Sequence, residues 1–167
     1  LSIKTYANTN SPMKSAAGSR PKSEVRTSFS LYPADLKILN DSLARLAERK
    51  VSADRTKFVR CLLHSATELD LFAYAAVQHR EDLLKTGPRE TEYVEERVTI
   101  VLPGADLSKV EKAVSQLKAK GVRANESYIL RALLRRLPSL DMLVPVVAAY
   151  LDKFPDGRSR AGREKKK

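Results

Sequence analysis

Cysteine is nearly absent from the sequence, since Cys61 is the only one among 167 residues. An intrachain disulfide and a thiolate metal cluster are therefore excluded, and this cysteine usage is typical of a reducing cytoplasm. No apolar run approaches the roughly 20 residues that a membrane-spanning helix needs. The basic residues lie mostly in the tails and outside the strands rather than on one face of an amphipathic helix, so we also expect no membrane-surface partner. Trimming of the chain before Leu1 stays open.

Residues that carry catalysis are also scarce. The two histidines, His64 and His79, fall on predicted helices without a partner at the spacing of metal ligands. The segment LPGADLSK at 102–109 lacks the glycines and the Gly-Lys-Ser/Thr ending of a phosphate-binding loop. Cys61 is expected on or beside the apolar face of a helix, as a core residue rather than a nucleophile. We therefore predict that the protein is not an enzyme and has no catalytic residues, metal site or cofactor.

Aromatic residues are few, at 6%, and tryptophan is missing, although a hydrophobic content of 43% is ordinary for a folded protein. The core must then consist mostly of Leu, Val, Ile and Ala, a mixture typical of small helical proteins. The length suits one domain or two small ones.

Basic residues are in excess, with 31 Lys and Arg against 20 Asp and Glu and a net charge of +11. Such an excess favours a polyanion as partner, either nucleic acid or an anionic membrane. Much of it lies at the ends: four basic and one acidic residue in 1–25, and seven basic and two acidic residues in 153–167. The basic tail either adds salt-dependent, nonspecific DNA affinity or serves only as a solubilising end.

The sequence contains an internal repeat at an offset of 71 residues. The 45 residues from Arg26 align with those from Arg97 without a gap, and 13 positions are identical, among them Asp35 and Asp106. Many other positions conserve apolar character. A shared leucine period can arise by chance in two unrelated helical segments. A gapless match that also includes a strand, a turn and polar positions does not readily arise in that way. We interpret the chain as two copies of one unit.

Each copy opens with a predicted strand, at 26–31 and 97–102, where small or β-branched residues alternate. One face of each strand is apolar and the other is polar. The apolar faces are formed by Thr27, Phe29, Leu31, Val98, Ile100 and Leu102. Pro33 and the Pro103-Gly104 pair end the strands and open helices.

Three helices are predicted after each strand. The first has an apolar stripe at i, i+3, i+7 and i+10, made of Leu36, Leu39, Leu43 and Leu46 and repeated by Leu107, Val110, Val114 and Leu117. Gly121 suits a left-handed helix end, whereas Lys50 is a weaker stop. Asp54 and Asn125 are predicted N-caps of the second helix.

A third helix is expected at about 67–85, with Leu69, Phe72, Ala76 and Leu83 on its apolar face. The matching helix is expected at about 138–154, with Pro145 as a kink or break. The predicted organisation is then a disordered basic leader (1–25), a first repeat with an extra helix (26–85), a linker (86–96), a second repeat with an extra helix (97–154) and a disordered basic tail (155–167).

The order strand, helix, turn, helix, with the motif R-x-[ST]-x-[SV]-L and an Asp-Leu pair in the first helix, resembles the ribbon-helix-helix (Arc/MetJ/CopG) family. The resemblance covers 26–66 and 97–137, and two copies in one chain resemble the TraY group. It implies a mainly α fold with a short two-stranded antiparallel β-ribbon, formed within a single chain. It also implies double-stranded DNA as the partner, with the ribbon in the major groove.

The resemblance implies two sets of site residues. The residues expected to contact bases are those on the outer face of the ribbon, namely Arg26, Ser28, Ser30, Arg97, Thr99 and Val101. The residues expected to anchor phosphates lie at the amino ends of the second helices, namely Ala53, Asp54, Arg55, Ala124 and Asn125. Glu126 departs from this pattern, because a carboxylate repels phosphate. Arg60 and Arg131 are expected either to pair with a carboxylate or to contact DNA.

The biological role stays open between related possibilities. A cytoplasmic transcriptional regulator of a bacterial plasmid or other mobile element is favoured by analogy with the fused arrangement. A relaxosome accessory protein at a transfer origin and an antitoxin-like protein-binding module are the alternatives. The third helices either enlarge the core or bind a protein partner or a second copy of the chain. Because the two strands differ in sequence, we expect an asymmetric DNA site rather than a perfect palindrome.

Overall fold

The computed structural model describes residues 24–85 and 96–154. Within these ranges the chain is mainly helical with one two-stranded antiparallel sheet, which confirms the predicted fold class at that level. In chain order the elements are β1 (Glu24–Leu31), α1 (Pro33–Glu48), α2 (Arg55–Ser65), α3 (Glu68–Leu84), β2 (Glu96–Pro103), α4 (Gly104–Ala119), α5 (Glu126–Leu134) and α6 (Leu140–Lys153). We refer to β1–α3 as the first half and to β2–α6 as the second half.

The two strands are slightly longer than the sequence predicts. Pairing of Glu24 with Pro103 and of Leu31 with Glu96 extends the ladder at both ends. Glu24, Val25 and Glu96 therefore belong to strands rather than to the predicted leader and linker. The remaining residues of the leader and linker, and the predicted tail at 155–167, lie outside the described residues.

The ribbon has one buried and one outer face because strand side chains alternate. Ser28 lies opposite Thr99 at its centre. The side chains predicted to face the core are buried, apart from the half-buried Thr27; they are Phe29, Leu31, Val98, Ile100 and Leu102. They join the helices in one core, which fits the instability of a lone two-stranded ribbon in water.

Side-chain caps explain where the second and third helices begin. The Asp54 carboxylate accepts a hydrogen bond from the backbone N–H of Lys57 at 2.8 Å, and the Asn125 side-chain oxygen accepts from that of Tyr128 at 2.9 Å. Both predicted caps are confirmed. The side chain of Thr67 caps α3 in a reciprocal arrangement with Asp70. Each cap satisfies a backbone donor that the helix leaves free.

The first helix of each half ends in the same left-handed turn. Lys50 has φ +62° and Gly121 has φ +78°. The next residue in each case, Val51 or Val122, donates its N–H to a carbonyl five positions back, at 2.9 and 3.0 Å. This is the Schellman arrangement, which favours glycine at the left-handed position. Lys50 therefore adopts a turn that its Cβ disfavours.

Single substitutions at the two turn positions are expected to change the free energy of unfolding in opposite directions. Lys50→Gly should raise the free energy of unfolding by about 1 kcal/mol, because a left-handed non-glycine residue costs about that much. Gly121→Ala should lower it by a similar amount, although its new Cβ would meet no atom within 4 Å. Urea unfolding followed by circular dichroism measures both changes. A Lys50→Gly variant no more stable than the wild type would contradict this account.

The third helix of each half packs on the other half. α3 lies against α4 and α5, and α6 lies against α1 and α2. The strands follow the same rule, since β1 contacts α5 and β2 contacts α2. The third helices therefore enlarge a shared core, and the two halves are intertwined rather than side by side.

Two details of the third helices differ from the prediction. Leu69 and Leu83 are 72% and 71% exposed, and Leu71, Ala75 and Gln78 are buried instead. The helix turns this i, i+4, i+7 face inward because α4 and α5 cover it there. α6 runs unbroken through Pro145, whose residue is exposed, so the predicted break is wrong. Proline has no backbone N–H, so one helical hydrogen bond is missing, but the ring lies in solvent and does not disturb the core.

Two buried carboxylates join the halves at matching positions. Asp35 in α1 is fully buried and accepts a hydrogen bond from Arg135 Nε, at the end of α5, at 2.9 Å. Asp106, 71 residues later in α4, is 5% exposed and lies 3.2 Å from His64 Nδ1 near the end of α2. Each pair links the first helix of one half to the second helix of the other.

Cys61 is fully buried in the core, as predicted. Burial raises the pKa of its thiol, opposed by a weak contact with Ser65. The thiol is thus kept protonated and away from solvent, which suits a small core residue. None of the described helices is long and apolar enough to cross a membrane.

Candidate nucleic-acid interface

The structure brings all six predicted base-contacting residues together on the outer face of the ribbon. They form three neighbouring cross-strand pairs: Arg26 with Val101, Ser28 with Thr99, and Ser30 with Arg97. The first and last residues of each strand's outer face differ in exposure, since both arginines are exposed while Ser30 and Val101 are half-buried. We refer to these six residues as the outer face.

The outer face has dimensions that suit the major groove of B-form DNA. From Arg26 to Ser30 the strand advances four residues, or about 13 Å at roughly 3.3 Å per residue. Two paired strands lie about 4.8 Å apart, and the groove is about 12 Å wide. A groove of this width admits a two-stranded ribbon of these dimensions.

The centre of the outer face is occupied by two hydroxyl groups that satisfy each other. Ser28 Oγ and Thr99 Oγ1 are 2.8 Å apart and both residues are exposed. Each hydroxyl keeps acceptor lone pairs for a further partner. Hydrogen-bonding capacity for a ligand is thus present at the centre, but part of it is already used.

The ribbon is held by the second helix of the opposite half at each edge. Arg60 Nε from α2 donates to the carbonyl oxygen of Val101 at 2.6 Å, and the N–H of Ser30 donates to Ser127 Oγ from α5 at 2.8 Å. Arg60 is 4% exposed, so it positions β2 from within the protein. The expected partner of Arg60 was a carboxylate or DNA, and the sequence gives no sign of the strand carbonyl that it bonds. Ser127 was missed because a serine beside an N-cap has no distinctive pattern.

Arg131, the counterpart of Arg60, makes a different contact. Its guanidinium carbon lies 4.5 Å from the centre of the Tyr32 ring and 5.9 Å from that of Tyr128. These are cation–π contacts, in which the positive group lies over the negative face of a ring. Arg131 thereby ties α5 to the residue that follows β1. Both contacts are with aromatic rings and neither is with a carboxylate, which was one of the two expected partners of Arg131.

The predicted phosphate-anchoring residues lie at two exposed or half-buried helix ends. At α2, the Asp54 carboxylate already caps the helix, and Arg55 donates to Asn40 at 3.0 Å and to Glu96 at 3.2 Å. Ala53 is half-buried beside them. Arg55 and Glu96 are both exposed enough for solvent to weaken their pair. The Arg55 side chain is therefore held near β2 but is not part of a buried ion pair, so its charge is still accessible to a ligand.

The corresponding end of α5 carries less positive charge. Asn125 caps it, Ala124 is half-buried, and Glu126 is the first helical residue. Negative charge at a helix N-terminus stabilises the helix but competes with a phosphate for the same place. Glu126 is half-buried, whereas a further carboxylate, Glu24, is exposed and lies on the same face as Arg26, which it precedes by two residues. The departure at Glu126 was evident from the sequence, whereas Glu24 was not anticipated because the strand begins earlier than predicted.

Removal of the Glu126 charge is expected to strengthen DNA binding. Glu126→Gln should lower Kd by about two- to fivefold at low salt, because a single charge near a helix end contributes about 0.3–1 kcal/mol. Fluorescence anisotropy with a labelled duplex measures the change. Glu111→Gln, an exposed change on α4, is the control and should alter Kd less. Equal or weaker binding by Glu126→Gln would show that no phosphate lies near α5.

The outer face offers charged donors, hydroxyl groups and methyl groups to a ligand lying across it. Among the residues that the structure describes, no group of three or more His, Cys, Asp or Glu side chains is arranged to hold a metal ion. No family model, curated protein or solved structure matches the chain.

Proposed function

We propose that the protein binds double-stranded DNA sequence-specifically, with the outer face of its ribbon in the major groove. The observation that carries the proposal is the pairing of Arg26 with Val101, Ser28 with Thr99 and Ser30 with Arg97 on one accessible face. Arginine binds guanine through two donors, hydroxyl groups serve any base, and valine methyls suit the thymine methyl. The net charge of +11 supports a polyanion as partner.

The amino ends of α2 and α5 complete the proposed interface. Each is close to the ribbon: Arg55 of α2 contacts Glu96 of β2, and Ser127 of α5 contacts Ser30 of β1. Free backbone N–H groups there bind phosphate oxygens on either side of the groove. Such contacts fix the register of the protein on DNA, while the outer face contacts the bases.

We further infer that the fold is a tandem ribbon-helix-helix arrangement with an extra helix per repeat. Two features support this inference. α1 and α4 share an offset of 71 residues at both ends, and so do the caps Asp54 and Asn125. The buried contacts of Asp35 and Asp106 recur at that offset as well. A single chain then supplies both strands of the ribbon.

Selection of bound duplexes from a random pool, at about 0.15 M salt, tests the proposed function. We expect the protein to enrich one short motif. Enrichment of none would leave charge as the only basis for DNA affinity and would refute the proposal. The location of the motif then separates the proposed roles. A motif in the protein's own promoter supports a cytoplasmic transcriptional regulator of a mobile element, and one beside a nick site supports a relaxosome component.

Exposed apolar side chains on the third helices favour a second candidate function, which is self-association. Leu69 and Val77 lie eight residues apart on one side of α3 and are 72% and 46% exposed. Leu69→Gln/Val77→Gln should reduce any concentration-dependent mass seen in sedimentation velocity, since apolar burial drives such contacts. A wild-type chain that stays monomeric at all concentrations, with or without DNA, would exclude self-association. An antitoxin-like role would instead require a different protein partner.

A further inference from the structure

The two ends of the outer face carry different chemistry. Arg26 lies across from Val101, whereas Arg97 lies across from Ser30. Ser30 and Val101 occupy matching positions, since they are 71 residues apart. One end therefore combines an arginine with two methyl groups, and the other combines an arginine with a hydroxyl group.

The other positions of the outer face are nearly the same in the two strands. Arg26 and Arg97 are identical, and Ser28 and Thr99 both present a hydroxyl group. These hydroxyls lie 2.8 Å apart at the centre, on the line about which the two strands are related. The arginine pair cannot give a bound site a direction, and Ser28 and Thr99 differ by a single methyl group at the centre of the ribbon. Within the outer face, the difference between Ser30 and Val101 is therefore the largest directional element.

The backbone at both of these residues is fixed by the protein. Arg60 donates to the carbonyl oxygen of Val101 at 2.6 Å, and the N–H of Ser30 donates to Ser127 at 2.8 Å. Val101 and Ser30 are half-buried, so each side chain has limited freedom. A valine held in this way makes a methyl contact at one end of the groove without rearrangement, which lowers the entropic cost of binding.

We propose that the DNA ligand is a directional site in which Val101 contacts a thymine methyl beside the guanine bound by Arg26. This inference rests on the proposed function. The two arginines are related by the pairing of the strands, so their guanines lie on opposite DNA strands. Their separation along the ribbon is about 13 Å, or about four base-pair steps at roughly 3.4 Å each. The thymine accompanies only one of the two guanines.

Duplex selection with three proteins tests the direction of the site. The wild type should enrich two guanines on opposite strands with a thymine at one end. Val101→Ser should enrich a motif without that thymine, and Ser30→Val a motif with a thymine at both ends. Retention of the one-sided thymine by Val101→Ser would overturn the inference. Failure of the wild type to enrich any motif would overturn the proposed function as well, so the two failures are distinguishable.

A methyl deletion in the DNA gives a second, independent measurement. Deoxyuridine in place of the selected thymine should weaken wild-type binding by about fourfold, the value of one buried methyl group. The same replacement should leave the affinity of Val101→Ser unchanged. An equal loss for both proteins would show that another residue contacts the methyl group. Circular dichroism melting checks that both variants fold. If Val101→Ser does not fold, Ser30→Val still tests the inference, because it introduces a residue that favours strands.

Discussion

Replacing Arg26 and Arg97 together by alanine is expected to abolish sequence preference while weak general DNA binding survives. Each bidentate arginine–guanine contact discriminates by about 1–3 kcal/mol, so the double variant should bind the selected site at least about 30-fold more weakly. Both side chains are exposed at opposite ends of the outer face, so their loss leaves no buried group unpaired. Anisotropy titrations with the selected and a scrambled duplex measure the ratio of the two affinities.

A second double variant separates base contact from the loss of charge. Arg45→Ala/Lys118→Ala also removes two positive charges, from exposed positions in the last turns of α1 and α4. It should preserve the ratio of specific to nonspecific affinity. Similar losses of that ratio in both double variants would mean that charge alone accounts for binding, and the outer face would lose its proposed role.

Among the variants proposed for stability, Arg135→Ala is expected to lower the free energy of unfolding most, by about 3 kcal/mol. Its Nε bonds the fully buried Asp35 carboxylate at 2.9 Å, and removal of one partner leaves a buried charge without its counter-ion. The Arg135 side chain is 29% exposed, so the expected loss lies at the lower end of the range for buried pairs. Urea unfolding measures the free energy of unfolding.

Arg49→Ala is the matched control, because Arg49 also bonds an aspartate of the opposite half, Asp141, at 3.0 Å. These side chains are 50% and 82% exposed, and such surface pairs contribute about 0–1 kcal/mol. The double variant Asp35→Asn/Arg135→Ala should recover part of the lost stability, because it removes the buried charge that Arg135→Ala leaves without a counter-ion. Equal losses for Arg135→Ala and Arg49→Ala would show that solvent reaches Asp35.

Local features of the fold could be predicted from the sequence because local chemistry determines them. The alternation at 26–31 and 97–102 specified which strand side chains are buried. Asp54 and Asn125 marked helix starts because their side chains satisfy backbone donors of the same segment. The pairing of the strands followed from the resemblance and from the need to cover an apolar face.

Features that depend on tertiary packing could not be predicted in the same way. The periodicity of α3 allowed Leu69 or Leu71 to face the core, and only the position of α4 and α5 decides between them. The left-handed conformation of Lys50 is imposed by the turn and not favoured by the residue itself. Arg60 bonds a carbonyl 41 residues away, a partner that no spacing indicates. The DNA-binding role of the outer face stays a prediction.

The intertwining of the two halves sets the order in which the chain can fold during synthesis. β1 has no partner until β2 leaves the ribosome, and the 72 residues from Tyr32 to Pro103 take about 4–14 s to make at roughly 5–20 residues per second. During that delay the apolar side chains of β1 and α3 are uncovered, because their partners belong to the second half. A chain that stops before residue 96 therefore has no ribbon, and such an incomplete product would lack the face that the proposed DNA binding requires.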